Sequence, residues 1–325
     1  MLTKHLAAFL AAFCMLIFVS CDKDNMPSSE SLPNTESSIA ASSEDGDIPS
    51  GIAIPGISAE NYPRVDGSTA NMPLMAKLYS EVCGVPLDQA ETLVQVSGGT
   101  GAVWRNMMYE GADLLLVYEA PENIKVEMEG MGLWDEFEVS SLGRDGLVFL
   151  VNAQNPVNNL TREQLIGIYT GGITDWSEAG GDSVPIAAFQ RNLESGSQTL
   201  FLRLLMKDVE PIDPPSELRP AGMGALIDAV AEYDGSGGAI GFSVFYYANL
   251  MYENPNLKLL SVDNVEPSAE SIENGSYPLV NDFYVVIRKN EPANSPARLL
   301  RDWLLTDEGR QLLIDENYVP IRQVD

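Results

Sequence analysis

The sequence is poor in histidine: its single imidazole, His5, stands near the N-terminus within an apolar stretch. A chain whose body lacks histidine cannot build Ser-His-Asp or Cys-His catalysis, and the usual zinc sites lose their main nitrogen ligand. Cysteine is nearly as scarce. Cys14 and Cys21 fall in the same N-terminal region, which leaves Cys83 without a disulfide partner in the body. A helical pattern surrounds Cys83, so it is expected to be a core thiol and not a reactive one. Basic side chains are few as well: 19 Lys and Arg stand against 47 Asp and Glu, for a net charge of −28. That balance argues against nucleic acid and against anionic lipid surfaces as partners. It says little about a buried ligand, because exposed charges are screened within about 8–10 Å and a buried site answers to its own donors. No enzymatic activity, cofactor or metal is expected.

What is present begins with a segregated N-terminus. Lys4 precedes an apolar run over residues 6–19, and Ser20 stands before Cys21. This is the pattern of a secretion signal over residues 1–20, too short to span a membrane. The tetrad Phe18-Val19-Ser20-Cys21 resembles the lipobox of bacterial lipoproteins, with Phe18 where leucine is usual. The resemblance implies that Cys21 is acylated and becomes the mature N-terminus, held on a membrane by two acyl chains. Residues 21–51 are rich in Ser, Glu, Asp, Asn and Pro with few large apolar side chains. Such a segment buries too little surface to repay ordering, so it reads as a disordered tether.

The remaining residues, to Asp325, suffice for a sizeable core or two lobes. Short apolar runs, predicted as strands, cover 92–96, 112–118, 146–152, 185–189, 239–244, 257–262 and 283–288. Helical periodicity covers 73–82, 103–109, 162–169, 198–206, 225–231 and 297–305. Alternation of the two implies an α/β fold with mainly parallel sheets.

Three of these helices open alike. Asp66-Gly67-Ser68-Thr69 leads to a helix with Pro73 in its first turn; Ser97-Gly98-Gly99-Thr100-Gly101 leads to a helix through Trp104; Ser195-Gly196-Ser197 leads to a helix through Phe201. Each puts glycines and hydroxyls at a helix N-terminus, where free N–H groups and the positive dipole end favour an anion. One such loop alone would be ordinary capping. Three of them, with Arg191 four residues before Ser195, point to an anion site, because Arg presents a planar fork of donors to phosphate or carboxylate.

The stretch Asn155-Pro156-Val157-Asn158-Asn159-Leu160-Thr161-Arg162-Glu163-Gln164-Leu165, continuing through Ile168-Tyr169 to Gly172-Ile173-Thr174-Asp175-Trp176, has ordinary local physics. Thr161 caps a helix and Gln164 completes a capping box. As a motif it resembles a signature of the bacterial phosphate-binding lipoproteins that feed ABC transporters. The order of Asp66 to Thr69, Gly98 to Gly101, Ala112-Asp113, Arg191 to Ser197 and Gly238 to Phe242 follows the same family along nearly the whole body.

The resemblance implies a two-lobed periplasmic-binding-protein-like fold of type II, with two inter-lobe crossings. Lobe 1 would comprise 52–141 plus 278–325, and lobe 2 would comprise 142–277, with the ligand enclosed between them by hinge closure. It further implies ligand contacts from Ser68 and Thr69, from Gly99 and Thr100 (with Ser97 as an alternative), and from Arg191, Ser195, Gly196 and Ser197. Some family members carry an aspartate that accepts the proton of bound phosphate; Glu119, in Tyr118-Glu119-Ala120-Pro121, matches it if one residue is inserted. Tyr118 is larger than the small residue usual there. The implied function is capture of inorganic phosphate for an ABC importer, by a monomeric, lipid-anchored, extracytoplasmic protein that docks on the permease. Another oxyanion, a small organic acid, or a sensory or adhesive lipoprotein with a vestigial pocket are the alternatives. Asp113 is expected at a strand start, and Trp104 and Trp176 in the core.

Overall fold

The computed structural model describes residues 51–207, 209–233 and 237–321. The expected signal, Cys21 and the tether up to Ser50 lie outside the described residues. Among those described, no helix is long and apolar enough to cross a membrane.

The strands are β1 Val65–Gly67, β2 Leu114–Val117, β3 Phe137–Asn152, β4 Asn159–Leu160 and β5 Ala187–Ala188, then β6 Ala239–Val244, β7 Leu257–Leu259, β8 Ser261–Val262, β9 Val280–Arg288 and β10 Val319–Pro320. The main sheet runs β1-β2-β9-β3-β6-β5, with β10 and β7 also pairing with β3. The expectation of mainly parallel sheets is corrected by the pairing. Among the described residues only β1–β2, β5–β6 and β4–β8 are parallel, whereas β2–β9, β3–β9, β3–β6, β3–β7 and β3–β10 are antiparallel. Strand spacing along a chain records alternation with helices, but a long strand such as β3, which pairs in both halves of the sheet, need not follow the βαβ direction.

β3 is the organising strand. Its first part, Phe137 to Gly146, pairs with β9, and its second part, Leu147 to Val151, pairs with β6. The register shifts between Ser141 and Gly143. A side chain at Gly143 would stand 2.4 Å from the Phe283 ring and 2.8 Å from the Val319 carbonyl, so the close approach demands glycine.

Helices cover both faces: α1 Met72–Cys83, α2 Leu87–Leu93, α3 Thr100–Met108, α4 Glu122–Gly130 and α5 Arg162–Tyr169, then α6 Gly196–Leu200, α7 Met223–Glu232, α8 Ala269–Glu273, α9 Pro296–Leu304 and α10 Asp307–Asp315. The four residues of β2 are all buried because successive side chains enter different layers. Leu114 and Leu116 pack in one cluster with Leu74 and Leu78 of α1, while Leu115 and Val117 join Val103, Trp104, Met107, Ile124 and Met128 of α3 and α4. The predicted strand over 92–96 is not formed. Its first residues finish α2, a helix that buries Ala90 alone, and residues 94–96 pair with no strand. Trp104 and Trp176 are buried as expected. Cys83 closes α1 half-buried, and burial pushes its thiol up to about 11.

Candidate anion-binding site

β1 ends at Gly67 under the β2 backbone, where an added Cβ would meet the Leu116 carbonyl at 2.5 Å. The chain then turns: Ser68 N donates to Leu116 O at 3.0 Å, and Thr69–Asn71 form one 3-10 turn ahead of α1. Buried Asp66 ties this turn to the second loop. Its Oδ1 accepts from the N–H groups of Gly67 (2.7 Å) and Ser97 (3.1 Å), and its Oδ2 accepts from Asn106 Nδ2 at 2.8 Å. Gly98 takes φ +135°, a conformation side chains rarely adopt, so that Gly99 can stand as the N-cap of α3. Ser195 is the N-cap of α6, which runs on through the wider helical turns of Phe201–Met206.

These helix starts differ from four others in the chain. Thr161, Ser268, Ser295 and Thr306 cap α5, α8, α9 and α10 with their own side chains. Ser68, Gly99 and Ser195 make no side-chain cap. These three meet at one cavity of about 380 Å³, lined by Ser68, Thr69, Gly99, Thr100, Arg191, Ser195, Gly196 and Ser197, whereas the starts of α2 and α4 at Pro86 and Pro121, also without side-chain caps, do not line it. The loops touch: Ser68 Oγ and Thr100 Oγ1 are 3.3 Å apart, and a Cβ on Gly196 would stand 2.5 Å from Thr100 Oγ1.

Arg191 is buried at 7% exposure. Its Nε donates to Pro220 O at 3.1 Å and its Nη2 to Ala221 O at 2.8 Å, while its Nη1 is buried with no partner among the described residues. Burial lowers its pKa to about 10, with the Tyr247 phenol opposing, so the guanidinium remains charged at neutral pH. A buried donor without a partner costs about 1–3 kcal/mol, more when charged, so an acceptor that reached Nη1 would be held strongly.

The carbonyls that hold Arg191 lead into a helix start that local sequence did not disclose. Gly222, also lining the cavity, is the N-cap of α7 and likewise carries no side-chain cap. The signal was weak: Ala221-Gly222 before an apolar period, with no hydroxyl to mark it.

Glu119, by contrast, does not line this cavity. Its Oε1 accepts from Lys125 Nζ and its Oε2 from Arg203 Nε, both at 2.6 Å, beside a separate hollow. In an extended segment successive side chains turn to opposite sides, and Tyr118 occupies the inner one. Tyr118 is buried at the cavity wall, with its carbonyl accepting from Trp104 Nε1 at 3.1 Å. Asp113 sits before β2 and binds Arg64 N and Nε, each at 2.9 Å.

Comparison with known proteins agrees with this architecture. A Bacillus subtilis protein named phosphate-binding protein PstS is 24% identical over 261 residues, which is 79% of this chain and 80% of that one. Two crystal structures share the fold. One is a Clostridium perfringens protein with bound phosphate (TM-score 0.60, 22% identity, covering 82% of this chain and 99% of that one). The other is an ABC-type phosphate transport receptor from Vibrio cholerae (TM-score 0.56, 23% identity, 78% and 98%). The family model described as the PBP superfamily domain matches residues 57–308, and this chain belongs to that family.

Proposed function

We propose that this protein captures inorganic phosphate outside the cytoplasm and delivers it to an ABC importer, acting as a binder and not as an enzyme. The observation that carries the reading is the meeting of four helix starts without side-chain caps, those after Ser68, Gly99, Ser195 and Gly222, around the buried Arg191. Each start offers backbone N–H groups and the positive end of a dipole, worth about 0.3–1 kcal/mol apiece toward an anion and up to ~2 when partly buried. The guanidinium adds charge-assisted contacts of about 2–5 kcal/mol, so it dominates. The relatives' names, which speak of phosphate binding and phosphate transport, support the choice of oxyanion.

On this reading residues 52–141 with 278–325 form one lobe and 142–277 the other, with β3 as one crossing between them. Ligand entry and release follow from opening at that crossing and at the start of β9. The protein works as a monomer, and acylated Cys21 keeps it at the membrane beside its permease.

Titration calorimetry with phosphate, sulfate, molybdate and citrate tests the proposal. Phosphate should bind, and Arg191→Ala should weaken it roughly thirty-fold to several thousand-fold, with Arg191→Lys restoring only part. Undiminished phosphate affinity in Arg191→Ala would move the site elsewhere.

A further inference from the structure

An anion cavity lined by a carboxylate poses an electrostatic problem. Glu194 is the one acidic side chain among the described residues lining this cavity, and left bare it would repel the ligand. It is not bare. Arg105 Nη1 donates to Oε2 and Arg105 Nη2 to Oε1, each at 2.8 Å, and Asn123 Nδ2 adds a 3.0 Å bond to Oε1. The fork itself is steadied from behind, where Arg105 Nε meets Glu127 Oε2 at 2.9 Å.

The backbone reinforces the same contact. Gly101 N donates to Glu194 O at 3.0 Å, and a Cβ at Gly101 would stand 2.9 Å from Glu194 Cβ. Gly101 and Arg105 are both on α3, whose N-terminus faces the cavity, while Glu194 immediately precedes Ser195, Gly196 and Ser197. Arg105 itself does not line the cavity.

We propose that Arg105 is a positioning residue for the anion site: it masks the charge of Glu194, so that the cavity does not present a bare carboxylate to the ligand. The inference rests on the phosphate reading of the cavity. The Arg105 guanidinium also holds the Glu194 carboxyl below its ordinary range, which keeps the pair ionised. Both side chains are about a third exposed, at 33% and 39%, so salt weakens the effect.

Masking and simple strapping make different predictions. A strap is lost equally from either end, so Arg105→Ala, Glu194→Gln and the double variant would be equally impaired. Under masking, Arg105→Ala exposes a negative charge beside the anion, and Glu194→Gln then removes it.

The test is calorimetry of the full chain with inorganic phosphate at low ionic strength. Arg105→Ala should weaken binding about ten-fold or more, Glu194→Gln much less, and the double variant should recover to within about three-fold of Glu194→Gln alone. The Arg105→Ala loss should shrink in 1 M salt, where the screening length is about 3 Å. Should Arg105→Ala fail to fold, Arg105→Gln with and without Glu194→Gln carries the same comparison. The proposal falls if the single Arg105 variant binds like wild type, or if the double variant is as weak as that single one. A wild-type chain that takes no phosphate would instead sink the reading of the cavity, and this inference with it.

Discussion

The hydroxyl of Tyr118 donates a 2.7 Å hydrogen bond to Oδ2 of Asp145, joining the wall of the anion cavity to the strand that passes between the two halves of the sheet. Asp145 is buried, and its Oδ1 accepts from the N–H groups of Gly146 (2.7 Å) and Tyr246 (3.2 Å). Burial raises its pKa from 3.8 to about 6, against the lowering effect of those bonds.

That shift has a sign. Above pH 6 the native state bears the cost of an ionised buried carboxylate that the unfolded chain does not, on the order of 3 kcal/mol at about 1.4 kcal/mol per pH unit. As pH falls from about 6 toward 3.8 the native state takes up the proton first, and the cost disappears. In Asp145→Asn the amide oxygen can keep both backbone bonds and the amide nitrogen can face Tyr118 Oη. Urea unfolding should therefore find the variant more stable than wild type at pH 8, with the advantage gone by pH 4. A difference independent of pH would show that Asp145 is not the titrating group. Glu194 and Asp113, whose pKa values are lowered, act in the opposite direction and cancel in this comparison.

Gly196→Ala tests the contact between the second and third loops. The new methyl would stand 2.5 Å from Thr100 Oγ1 and 3.8 Å from Tyr118 Cβ, so the loops must part. Phosphate affinity should drop about ten-fold or more, and stability by about 1–3 kcal/mol. Gly130→Ala is the control: it meets nothing within 4 Å at the end of α4 and should leave affinity unchanged.

Glu119→Gln should leave the ratio of phosphate to sulfate affinity within about two-fold of wild type, because this carboxylate faces Lys125 and Arg203 and not the cavity. Loss of its partly buried ion pairs should cost about 0.5–1 kcal/mol of stability. A ten-fold change in the ratio, measured by competition, would return Glu119 to the ligand site.

Cys21→Ser should release the protein from membranes or leave the precursor uncut, as read by fractionation and mass spectrometry. A fully processed variant still bound to membranes would end the lipoprotein reading.

How much of this could be read along the chain depends on the range of the forces involved. Helix starts are local events. The Thr161 and Gln164 capping box, and the glycine and hydroxyl runs around Ser68, Gly99 and Ser195, are set by residues within one turn of each other, and sequence displays them. Arg191 was legible for a similar reason, since a lone guanidinium beside such a run has few other uses. The Gly222 start was not, because glycine at an N-cap carries no hydroxyl to distinguish it from an ordinary turn.

The sequence by itself determined the alternation of strand and helix, the exclusion of histidine chemistry and the loops that could hold an anion. Tertiary structure alone decided the antiparallel course of β3 against β9, the loss of the 92–96 strand, the turning of Glu119 toward Lys125 and Arg203, and the meeting of Arg105 with Glu194 across 89 positions. Periodicity records which faces are buried but not which partner buries them. A side chain such as Glu119 goes where its neighbours in space supply opposite charge, and while Lys125 is near in the chain, Arg203 comes from an element far along it.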